Sequence, residues 1–109
     1  MKETKLGEFE EVILLLVGIL KDQAYAFRIT EEFKQQTNRS SSIGSVHSAL
    51  ERLIEKGFLN SEMGKPSAER GGRRKRIYSI TAEGQKALQA SKEFRISLWN
   101  QLPEFSLTS

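Results

Sequence analysis

The sequence predicts a mainly α fold with a small two-stranded β-ribbon, laid out as three helices, a hairpin and a long final helix. Two observations carry this. Apolar residues recur at helical spacing in four stretches, and an alternating pattern between Phe58 and Ile80 is broken by a run rich in glycine and arginine. At 109 residues the chain fits one domain of ordinary size. Marginal size makes association with a second copy a natural source of further burial.

The first helix is expected from Gly7 or Glu8 to Leu20. Phe9, Val12, Ile13, Leu16 and Leu20 form its inner stripe, and Leu15 and Ile19 widen it toward burial on nearly every side. Val12 to Leu20 is the most apolar stretch, yet it falls well short of the about 20 residues a membrane helix needs. It also imitates the core of a secretory signal, with Ala24-Tyr25-Ala26 as a mock cleavage site. Glu8, Glu10 and Glu11 stand where such a signal carries positive charge, so a cytoplasmic protein with no membrane partner is expected.

A second helix follows Asp22 as N-cap, turns Tyr25 or Ala26, Ile29 and Phe33 inward, and fades through Thr37, Asn38 and Arg39. The run Ser40-Ser41-Ser42 offers a new cap. In the third helix Ile43, Val46, Leu50, Leu53 and Ile54 should pack on the first two, leaving Ser45, His47, Ser48 and Arg52 on or near the other side. Gly57 suits a left-handed helix end. Phe58 to Met63 reads as a strand, Gly64 to Arg74 as a loop and Lys75 to Ile80 as the return strand. Thr81 can cap a last helix that ends near Gln101, ahead of Pro103. Residues 1–81 form the head, 82–102 the long helix and 103–109 a tail.

Charge is unevenly spread. The formal net charge is +3, but Lys65 to Arg76 holds six bases (Lys65, Arg70, Arg73, Arg74, Lys75, Arg76) against Glu69 alone. A basic patch on a slightly acidic body points to a polyanionic partner. The chain has no cysteine and one histidine, which excludes disulfides, thiolate chemistry and the common zinc sites. No metal, cofactor or catalytic residue is expected, and an enzyme built on His47 alone lacks a partner group. The glycines of the loop do not have nucleotide-binding spacing.

Three helices, a ribbon with a basic tip and a long fourth helix are the layout of a winged helix-turn-helix, a fold suited to double-stranded DNA. A helix fits the major groove, and guanidinium groups on a neighbouring loop can follow the backbone or enter the minor groove. The third helix becomes the recognition helix. Ser41 and Ser42 are candidates for phosphate contact, Ser45, His47 and Ser48 for reading or positioning, and Arg52 for a backbone contact. Arg73 and Arg74 lead the wing contacts, with Arg70, Lys75, Lys65 and Arg76 adding charge. The bland alternative makes the serines plain caps and the tip a solvated loop; a second makes the chain a protein-interaction module whose ribbon meets an acidic partner.

Several segments resemble the PadR-like family of bacterial winged-helix transcriptional regulators. They are Leu6-Gly7-Glu8-Phe9-Glu10-Glu11, Tyr25, the stretch from Ile43 to Leu53, Glu55-Lys56-Gly57, and the wing from Arg70 to Tyr78 running into Ile80-Thr81-Ala82-Glu83-Gly84. Ser45-Val46-His47-Ser48 stands where the family often has Thr-Leu-Tyr-Pro. The resemblance implies a homodimer, usually a repressor, whose two DNA heads change spacing in response to a signal. It agrees with the apolar residues of the last helix, Leu88, Phe94, Leu98, Trp99 and Leu102, which a partner helix would bury. Phe94 and Trp99 are candidates to line a cleft for a small aromatic effector, as in some members, although packing in the dimer interface is the simpler role for Trp99.

Overall fold

The computed structural model describes residues 5–65 and 74–104. Helix α1 spans Glu8–Leu20, α2 Ala26–Thr37, α3 Ile43–Glu55 and α4 Ala82–Gln101, with strands β1 at Leu59–Met63 and β2 at Arg76–Ile80 between the last two helices. This is the expected mainly α architecture with a two-stranded antiparallel ribbon. Residues from Ile13 on α1 to Tyr78 on β2 form one core, in which Ile29, Phe33, Val46, Leu50 and Leu53 are buried. Among the described residues no helix is long and apolar enough to cross a membrane.

Local chemistry sets most boundaries. Glu8, Glu10 and Glu11 lie in the first turn of α1, where carboxylates complement the helix dipole. Ser42 caps α3 by accepting from the Ser45 amide at 3.0 Å. At the other end of α3, Gly57 takes φ 82°; its N–H bonds to the Ile54 carbonyl and that of Phe58 to the Leu53 carbonyl, both at 2.9 Å. These bonds form a Schellman motif that turns the chain straight into β1. The ribbon pairs Leu59 with Ile80 through Met63 with Arg76. Thr81 then caps α4, accepting from the Gly84 amide at 2.9 Å while its hydroxyl donates to the Gly57 carbonyl at 2.7 Å.

The structure departs from the sequence expectations in three places. A single 3-10 turn, Lys21–Gln23, follows α1, so Asp22 lies inside that turn and Tyr25 is the N-cap of α2. The reason is tertiary: Ala24 is buried and its carbonyl accepts the Tyr78 amide at 2.9 Å, which ties this link to β2 and fixes where α2 can start. Second, burial of α1 is one-sided. Leu15 and Ile19 are 45% and 56% exposed, and Leu14 takes the core position instead. Third, Ile43, at the first position of α3, stays largely exposed rather than packing inward.

Candidate nucleic-acid interface

The exposed side of α3 carries the candidate reading residues. Ser42, Ser45, His47 and Ser48 are exposed and Ser41 is half-buried. The first turn of α3 contains no acidic residue, unlike that of α1, so its unpaired amides keep their positive end uncompensated. Ser42 and Ser45 also share a hydrogen bond between hydroxyls at 2.9 Å. A concavity of about 590 Å³ lies along this stretch, walled by Ser42, Gly44, Ser45 and Ser48, with Phe9 of α1 on one side and Arg52 at the end.

A second cleft, about 370 Å³, separates α3 from the ribbon and shows how they are disposed. His47 and Glu51 of α3 face Lys75 and Arg76 of the ribbon across it, with Tyr25 and Phe27 of the α2 segment in its wall. The recognition-helix candidate and the root of the wing therefore border one cleft. Lys75 sets its ammonium 4.0 Å from the centre of the Tyr25 ring, a cation–π contact. Arg76 donates from Nη1 to the Ser61 hydroxyl at 2.9 Å, across the ribbon. Tyr78 also lines the cleft; burial pushes its hydroxyl pKa up, Glu51 adds to the shift and Arg76 opposes it.

Lys65 and Arg74 are exposed at the two sides of the wing root. Arg70 and Arg73 lie outside the described residues. Arg52 stands in a pair with Glu10, its Nε 2.6 Å from the carboxylate, with half of its side chain still open to solvent. Glu10, Phe27 and Glu51 carry no signal in the sequence for a place here. The Arg52 partner of Glu10 is 42 residues away, and Phe27 and Glu51 come to the same cleft only through the packing of α2, α3 and the ribbon.

Helix α4 meets α1 through Glu11, which accepts from the Ser91 hydroxyl at 3.0 Å and pairs with Arg95 at 3.6 Å. Beside that contact runs an open groove of about 870 Å³ whose walls include Leu15, Leu88, Lys92, Ile96 and Trp99. Trp99 and Phe94 are 66% and 64% exposed, and Leu98 and Leu102 about half exposed. Phe94 is not among the groove's lining residues, since five residues of helix carry it about 140° around the axis from Trp99.

The sequence profile of the transcriptional regulator PadR-like family matches residues 15–90. Among solved structures, a PadR family transcription regulator from Clostridium difficile R20291 is 31% identical, with a TM-score of 0.57 over 83% of this chain and 95% of that one. A PadR-like transcription factor from Bacteroides fragilis is 24% identical, with a TM-score of 0.70 over 84% of each chain. PadR of Bacillus subtilis, solved in complex with operator DNA, is 18% identical with a TM-score of 0.61; 94% of this chain covers 51% of that one. No curated protein sequence matches. With its profile match running from α1 through the ribbon into α4, the chain belongs to the PadR-like family of transcriptional regulators.

Proposed function

We propose that the protein is a homodimeric repressor that binds a roughly palindromic operator in double-stranded DNA. The observation that carries this reading is the shared cleft in which His47 and Glu51 of α3 face Lys75 and Arg76 of the wing root. With that disposition, one duplex can receive the hydroxyl-bearing start of α3 in its major groove while the wing follows the adjacent backbone. Ser41, Ser42 and Arg52 are assigned to phosphates, Ser45, His47 and Ser48 to base edges or their positioning, and Arg70, Arg73, Arg74 and Lys75 to the wing contact.

Residues 1–81 act as the DNA-binding head, 82–102 as the dimerisation helix and 103–109 as a tail. Leu88, Phe94, Leu98, Trp99 and Leu102 supply apolar surface for the partner helix. The exposure of Phe94, Leu98, Trp99 and Leu102 in a single chain supports that role, because exposed apolar surface favours burial at about 25 cal/mol per Å². Leu88, against expectation, already packs on the chain's own core and has less surface to offer. Two heads so joined would set their recognition helices about 34–36 Å apart, one turn of duplex. A flat aromatic effector is proposed for the Trp99 groove, where it would alter that spacing.

Selection of bound duplexes from a random pool, with the mass of the protein measured in the same preparation, tests the reading. Enrichment of a two-fold-symmetric sequence by a dimer is expected. Tight binding to an acidic protein, with no duplex retained, would favour the interaction-module alternative instead.

A further inference from the structure

The concavity beside Ser45 and Ser48 ends in an arginine that is already held. Arg52 Nε donates to Glu10 Oε2 at 2.6 Å; the Glu10 side chain is 9% exposed and that of Arg52 49%. The other carboxylate oxygen accepts from Lys56 Nζ, which also donates to the Lys5 carbonyl, and from the Gly7 amide at 3.3 Å. Burial pushes the Glu10 carboxyl pKa up, but hydrogen bonds from Lys56, Arg52 and Gly7 outweigh it and hold the group below the usual carboxylate range. Glu10 is thus an ionised post on α1, gripped from the start of its own helix, from the last turn of α3 at Arg52 and from its C-cap, Lys56.

We propose that Glu10 is a positioning residue for DNA binding, its carboxylate holding the Arg52 guanidinium beside Ser45 and Ser48 so that the Nη donors meet a backbone phosphate. This rests on the DNA-binding reading above. Arg52, Ser48 and Ser45 follow one another at helical spacing and line the same concavity, so a phosphate held by the guanidinium lies beside the two serines assigned to the base edges. An unrestrained arginine loses many rotamers when it docks. Pairing at Nε removes that freedom beforehand and leaves the Nη donors to a second acceptor. The pairing does not cancel the attraction for DNA, because one carboxylate faces two cations and the group stays net positive.

Charge and geometry make opposite forecasts. If Glu10 acted on DNA only through its charge, removing that charge would strengthen binding. If it holds Arg52 in place, removal weakens it. The test is a double-mutant cycle on the full chain by fluorescence anisotropy, using two duplexes of about 30 base pairs. One is selected by the wild type from a random pool and the other is of random sequence. Glu10→Gln is expected to lower affinity for both about fivefold, Arg52→Ala at least as much, and the double variant no more than Arg52→Ala. The log–log salt slope should shrink by about 0.9 for each protomer that loses its phosphate.

Equal or tighter binding by Glu10→Gln, at a temperature where its circular dichroism matches the wild type, overturns the assignment, as do fully additive effects. Arg52→Lys leaves Glu10 in place and keeps the charge, so it decides the matter should Glu10→Gln not fold. It is expected to bind about as weakly as Arg52→Ala, and wild-type affinity in it overturns the proposal. A wild type that retains no duplex sinks the regulator reading and this inference with it; a wild type that binds, beside an indifferent Glu10→Gln, sinks the inference alone.

Discussion

A Cβ placed on Gly84 would stand 2.3 Å from the carbonyl oxygen of Phe58. The first turn of α4 therefore rests directly on the backbone at the start of the ribbon, and Thr81, whose hydroxyl bridges Gly57 and Gly84, locks the joint. The obstacle is backbone and cannot swing aside as a side chain could.

Gly84→Ala weighs two effects of opposite sign. Helix propensity favours alanine by about 1 kcal/mol, whereas forcing α4 off the ribbon costs about 1–3 kcal/mol. The clash is deep enough for the second to win, so the variant should lose about 1–2 kcal/mol in urea denaturation. Gly44→Ala provides the control, because a Cβ there meets only the Ser42 hydroxyl, at 3.8 Å. It should be neutral or slightly stabilising in the same measurement.

Much of this joint was legible in the sequence. Ser42 and Thr81 cap helices through amides three residues ahead of them and Gly57 supplies a positive φ, signals that are written locally, whereas the bond from Thr81 back to Gly57 is not. Lys21, Leu15 and Glu10 were not legible for the opposite reason. The turn at Lys21 exists because β2 binds Ala24 from 54 residues away. Leu15 has the same composition as the buried Leu14 and Leu16, and only the placement of α4 decides that it borders an open groove. Of the interface, the charges and hydroxyls could be read from their types. Their convergence could not, because pairings such as Lys75 with Tyr25 depend on how the ribbon folds back.

The Glu10 cluster also makes a pH prediction. Its folded pKa lies below the usual value, so the cluster contributes stability above the unfolded carboxyl pKa of about 4.3 and loses it as pH falls through the folded value. Wild type should therefore unfold more readily as pH drops from about 5 toward 3. Glu10→Gln should be less stable than wild type near neutrality and approach it in acid. Thermal unfolding across that range checks this, and a constant gap between the two proteins would contradict it.

The wing makes a separate electrostatic prediction. Arg74 is exposed at the ribbon root, and Arg73 precedes it in the basic run. Replacing both with alanine should weaken binding to every duplex by a similar factor, because phosphate contacts carry no sequence preference. The salt slope should become shallower by about 1 for each phosphate that the wing no longer neutralises. Ser45→Ala or His47→Ala should instead change the ranking of duplexes while leaving the slope nearly as it was. If the Arg73 and Arg74 changes altered only the ranking, the roles of helix and wing would have to be exchanged.

Trp99 offers the sharpest test of the dimer. It is the largest exposed apolar side chain on α4, and it borders the groove in which Leu15 of α1 is also left open. A second copy placed along α4 would cover Leu15 together with Trp99. Trp99→Ala removes a bulky aromatic anchor, a change that commonly costs about 2 kcal/mol or more in an interface, or about thirtyfold in the dimer dissociation constant. Sedimentation velocity over a concentration series should then show dissociation where the wild type remains paired. DNA affinity should fall in step, since a single head grips only half of the operator, and raising the protein concentration should restore it. Should Trp99→Ala leave self-association unchanged, the partner lies elsewhere, and Phe94→Ala and Leu98→Ala, on the neighbouring face of α4, become the variants that must dissociate.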